Sequence, residues 1–129
     1  MNFLEKNGLK IFLFLFLTIS YSITAETKKL LILGDSISAG YGIKESENWV
    51  SLLETSLKRG SFDIEIINSS VSGDTTIGGL SRIKNDLTRY RPDYVLVELG
   101  GNDALRGYPL DKIKLNLNII IDKCIKAGA

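Results

Sequence analysis

The chain has 129 residues, 44% hydrophobic and 24% charged, a composition that fits one ordinary globular domain and excludes a disordered or fibrous segment. A formal net charge of +1, with Lys and Arg scattered along the sequence, leaves no basic stripe for nucleic acid or an anionic membrane, so neither is expected as a partner. A single cysteine, Cys124, excludes an internal disulfide, and the absence of histidine removes the commonest general base and metal ligand, so no metal or other cofactor is expected.

Residues 1–25 read as a secretory signal: Lys6 and Lys10 supply a positive start, residues 11–17 an apolar core, and Ala25 the expected cleavage point. Thr18, Ser20, Tyr21 and Ser22 interrupt the apolar run, which is too short for a permanent span of about 20 residues. The expected product is periplasmic or secreted, has no membrane span once the signal is removed, and keeps residues 26–129 as its domain.

Residues 29–33, Lys29 followed by the apolar run Leu30 to Leu33 and stopped by Gly34, have the pattern of a strand buried on both faces of a parallel sheet. Trp49, Val50, Leu52, Leu53 and Leu57 recur at helical spacing, which predicts a helix over residues 48–59 with Asn48 as N-cap and Gly60 as its closing residue. Residues 62–67 alternate apolar with charged, as in a strand at a sheet edge. Ile77, Leu80, Ile83 and Leu87 mark a second helix, ended at Arg91 because the following Pro92 favours an extended residue before it. Residues 94–99 are the third strand, and Leu110, Ile113, Leu117, Ile120, Ile121, Cys124 and Ile125 a third helix, with Pro109 in its first turn and Cys124 on its buried face.

Strand and helix alternating three times predict an α/β sandwich with a parallel sheet and right-handed crossovers. The sequence stops at Ala129, where a helix cap and a further strand are expected, so the domain reads as C-terminally truncated. In such sheets ligands bind beyond the carboxyl ends of the strands. Those ends carry Gly34-Asp35-Ser36, the loop from Asn68 to Thr76, and Gly100-Gly101-Asn102-Asp103. Each loop alone is explained by turn glycines and capping residues. Together they place a serine near candidate hydrogen-bond donors.

Gly34-Asp35-Ser36, Gly73 within Val71-Ser72-Gly73-Asp74-Thr75-Thr76, and Gly100-Gly101-Asn102-Asp103 resemble, in order and spacing, the first three blocks of the SGNH or GDSL hydrolases. The run from Glu98 to Gly107 is similar to the family's exported bacterial thioesterase, lysophospholipase and arylesterase branch. The resemblance implies a flavodoxin-like three-layer α/β/α sandwich and a serine ester hydrolase acting through an acyl-enzyme. It makes Ser36 the nucleophile, and the backbone N–H groups of Ser36 and Gly73 and the Asn102 amide the oxyanion hole. Asp35 and Asp103 are supporting residues.

The implied partner is a small-molecule acyl ester or thioester, handled by a monomer, with Tyr41, Leu105 and Tyr108 as candidate apolar wall. The family's fourth block, Asp-x-x-His, has no counterpart here, so the triad Asp and His are not in this chain and the chain as it stands is expected to be nearly inactive. Two other readings stand beside this one. The first is a non-catalytic acyl- or glycan-binding protein on the same scaffold, and the second a nucleotide binder, which the glycine spacing disfavours. Asn68-Ser69-Ser70 also fits the N-glycosylation acceptor pattern.

Overall fold

The computed structural model describes residues 26–129, so the signal expected over residues 1–25 lies outside the described residues. Strand β1 (Lys28–Gly34) runs between β2 (Ile64–Asn68) and β3 (Tyr94–Glu98) in a parallel sheet of order β2-β1-β3. Five α-helices join or follow these strands among the described residues: α1 (Ser36–Ala39), α2 (Trp49–Arg59), α3 (Thr76–Tyr90), α4 (Gly101–Leu105) and α5 (Leu110–Lys126), with a 3-10 turn at Glu45–Glu47.

Because side chains alternate across a strand, Leu31 and Leu33 of β1 point to one face and Ile32 to the other. Leu31 and Leu33 pack with Ile83 and Leu87 of α3 and Ile120 and Cys124 of α5, so these two helices form one outer layer. Helix α2 packs on β2 from the opposite face, where its Val50 and the β2 residue Ile66 line a common cleft. This is the expected three-layer α/β/α arrangement. Burial raises the Cys124 thiol above its ordinary range, in keeping with a packing role. The apolar stripe of α5 is narrower than its sequence suggests, since Ile113 and Ile120 are buried while Leu110, Ile121 and Ile125 are exposed.

Several element ends differ from the sequence pattern for identifiable reasons. Helix α2 ends at Arg59 with Gly60 as its C-cap, as expected, and the left-handed residue is the next one, Ser61 (φ 56°): Phe62 N–H donates to the Leu57 carbonyl at 3.1 Å and Ser61 N–H to that of Lys58 at 3.2 Å. A Cβ at Gly60 would lie 2.7 Å from the Phe62 ring, which would have to shift. That closure occupies residues 61–63 and delays β2 to Ile64, while pairing of Ile32 with Asn68 carries the strand one residue further than expected. Helix α3 does end before Pro92, but Arg91 adopts a left-handed conformation (φ 47°) in place of an extended one, its N–H capping the Leu87 carbonyl. Pro109 is the extended N-cap residue of α5 and not part of its first turn.

Asn48 caps α2 as its sequence position suggests, its Oδ1 accepting from Val50 N–H at 2.9 Å. Its Nδ2 also donates to the Ser38 carbonyl at 3.1 Å, which ties α2 to the turn that follows β1. Asn48→Ala removes a buried cap and a donor to a buried carbonyl together, and is expected to destabilise the fold by about 2 kcal/mol. A lower midpoint in urea unfolding with an unchanged slope is the predicted reading, and an unmoved midpoint contradicts it.

Candidate active site

In the order β2-β1-β3 the chain crosses from β1 to one side and then back to the other, so the topological switch point lies between the carboxyl ends of β1 and β3. Ser36 follows β1 and Asn102 follows β3, and both flank that point.

The first strand end is shaped by Asp35 and Gly40. Asp35, only 3% exposed, caps the single turn of α1 through Oδ1, which accepts from Ile37 N–H at 3.0 Å. Gly40 ends the turn in the left-handed region (φ 76°), where a Cβ would lie 2.4 Å from Asn48 Nδ2. Two serines share this turn. Ser38 is fully buried and donates from Oγ to Glu98 Oε2 at 2.9 Å, whereas Ser36 is partly exposed and its hydroxyl makes no hydrogen bond among the described residues. Of the two, only Ser36 is open to a reagent from solvent.

The second strand end is drawn inward by the third. Asn102 Nδ2 donates to Asp35 Oδ2 at 3.0 Å and to the Asp74 carbonyl at 2.9 Å, so one amide joins all three loops. Both its hydrogens are engaged. Gly73 adopts a left-handed conformation (φ 80°), and its carbonyl accepts from Arg106 Nη2 at 3.0 Å. The N–H groups of Ser36 and Gly73 donate to no protein atom among the described residues. Asp103 is placed differently from the other predicted residues. Fully buried, it accepts from Thr76 N–H at 2.9 Å and from Thr76 Oγ1 at 2.5 Å, and Asn116 of α5 donates to that same hydroxyl at 3.0 Å. It fastens α4 to α3.

The sequence pattern assigns no role to Glu98 or Arg82. Glu98 accepts from Ser38 Oγ and from Asp35 N–H (3.3 Å), supporting the turn from below. Its signal was present as the only charge within an apolar strand. Arg82, which sits among the loops, has no such signal, because an arginine on an amphipathic helix is ordinary. Asn68 donates its amide to the Ser38 carbonyl at 2.8 Å, so the nitrogen of the glycosylation pattern is engaged in the folded chain. Tyr41 and Leu105 are largely exposed and Tyr108 partly so. No group of His, Cys, Asp and Glu among the described residues could hold a metal ion.

The model of the GDSL-like lipase/acylhydrolase family matches residues 32–129. The chain belongs to that family. An arylesterase of Vibrio mimicus is 47% identical over 103 residues, which are 80% of this chain and 52% of the relative. Thioesterase 1/protease 1/lysophospholipase L1 of Escherichia coli strain K12 is 42% identical over 116 residues, 90% of this chain and 54% of the relative. Among solved structures, the psychrotrophic esterase EstA from Pseudoalteromonas sp., inhibited by monoethylphosphonate, superimposes with a TM-score of 0.76 at 44% identity, covering 79% of this chain and 56% of the other. The GDSL chain described here thus spans about half the length of the curated relatives it matches.

Proposed function

We propose that the whole protein is an exported ester hydrolase that forms an acyl-enzyme on Ser36. The observation that carries this reading is the single amide of Asn102 bonded to both Asp35 and Asp74, which gathers the three loops at the switch point. Ser36 Oγ adds to the acyl carbonyl and gives up its proton to a general base. The carbonyl oxygen becomes an oxyanion received by the unpaired N–H groups of Ser36 and Gly73. Asn102 contributes by sharing one of its hydrogens between Asp74 or Asp35 and the oxyanion.

Collapse of the tetrahedral adduct expels the alcohol or thiol, and water then releases the acid and restores the serine. Histidine, the usual base for a serine nucleophile, is absent from these 129 residues. The names of the relatives favour thioesters, aryl esters and lysophospholipids as substrates. Export rests on the charged start and apolar core within residues 1–25.

An alkyl phosphonate with a good leaving group tests the assignment, because its phosphorus traps the activated hydroxyl in a tetrahedral adduct that resembles the transition state. Peptide mapping of the whole protein is expected to find the adduct on Ser36, and intact mass to find a mature chain starting at Glu26. An active protein labelled elsewhere, or left unlabelled, refutes the nucleophile. A ligand-binding protein that turns nothing over would give no adduct at all.

A further inference from the structure

The turn carrying Ser36 and the loop carrying Gly73 come from different strands, and one side chain on α3 reaches both. Arg82 Nη2 donates to the Gly34 carbonyl at 3.3 Å, two residues before Ser36. Its Nε and Nη2 each lie 2.9 Å from Asp74 Oδ2, one residue after Gly73. Its Nη1 donates to the Ser69 carbonyl, to Ser69 Oγ at 2.9 Å and to Asp86 Oδ2 at 3.3 Å, and Ser69 Oγ donates to the same Asp86 oxygen at 2.7 Å. The Arg82, Asp74 and Asp86 side chains are 21%, 11% and 15% exposed, so the whole cluster is largely withdrawn from water.

The planar guanidinium, with five donors in a rigid fork, fixes direction as well as distance, which a lysine ammonium in the same place would not. The apolar core is closed without Arg82, by Leu31, Leu33, Ile83, Leu87, Ile120 and Cys124. We infer that Arg82 is a positioning residue, one that sets the separation between the Ser36 turn and the Gly73 loop and so aims their two free N–H groups at one point. The inference rests on the reading of Ser36 as nucleophile and of Gly73 as oxyanion donor. Arg82 touches no reacting atom in it.

Arg82→Ala in the whole protein separates the possibilities through two readouts. Amide hydrogen exchange at residues 34–36 and 69–75 is expected to quicken by about ten-fold or more while the amides of α5 are unchanged. In ester hydrolysis, kcat is expected to fall by about 10- to 100-fold with little change in KM, and added guanidinium ion to restore part of it. Unchanged exchange in the two loops, a uniform rise that includes α5, or a KM effect with kcat intact each overturn the inference. Should Arg82→Ala fail to fold, Arg82→Lys keeps charge and stem and is expected to show the same two effects. A wild-type protein with no hydrolysis and no phosphonate adduct would count against the Ser36 reading alone, since the exchange readout needs no activity.

Discussion

Ser36→Ala in the whole protein is expected to lower kcat for ester hydrolysis by about a million-fold, the loss typical when the nucleophile of a serine hydrolase is removed. The residual rate should still exceed that in water, because Gly73 N–H and the Asn102 amide would continue to stabilise an oxyanion formed by direct attack of water. The substitution is also predicted to leave stability within about 0.5 kcal/mol, since the Ser36 hydroxyl makes no hydrogen bond among the described residues that alanine would break. Ser38 behaves oppositely in the structure, being buried with its hydroxyl committed to Glu98. Steady-state rates for both alanine variants, each paired with a melting curve, therefore distinguish a reacting serine from a structural one two residues away. A Ser36→Ala protein that keeps more than about a tenth of its wild-type kcat, far above the residual rate of a triad knockout, would remove the covalent mechanism.

Periodicity alone made most of the fold legible. The continuous apolar run at residues 30–33 belongs to a strand with a neighbour on either side, and Leu31, Ile32 and Leu33 are fully buried as that pattern requires. Helix spacing likewise located α2, α3 and α5, because each buries one face against the sheet or its partner helix. The single turns α1 and α4 leave no such trace: four and five residues are too few to display a period of 3.6, and their glycine, serine and asparagine suit a loop equally well.

The candidate site is proposed from its residue types, through the resemblance carried by three short blocks. Its scaffolding is not legible in the sequence. That Arg82 turns toward the loops, and that Asp103 is taken up by Thr76, depend on the packing of α3 and α4 on the sheet, which no local pattern encodes. The closure of α2 shows the same limit on a smaller scale. Gly60 caps the helix as its sequence position suggests, yet the left-handed conformation falls on Ser61, a residue whose type gives no signal for it.

Asn102→Ala is the second large effect, and it tests whether Asn102 serves chemistry, architecture or both. Loss of one oxyanion donor is expected to reduce kcat by about 100- to 1,000-fold. The same truncation leaves Asp35 Oδ2 and the Asp74 carbonyl without their shared donor, and an orphaned buried acceptor typically costs about 1 to 3 kcal/mol. Both losses are therefore predicted together, the first in steady-state rates measured well below the melting transition and the second in the urea midpoint. Asn102→Asp sharpens the contrast, for it keeps the size of the side chain but replaces the donor with a carboxylate facing Asp35. Repulsion between the two should make this variant less stable than the alanine one, with no gain in rate. The phosphonate reagent then divides the contributions. If Asn102 stabilises the oxyanion, labelling of Ser36 slows along with kcat, because the tetrahedral phosphorus makes the same demand on the donors. If it serves only to hold Asp35 and Asp74, a variant that remains folded at the assay temperature should be labelled at close to the wild-type rate.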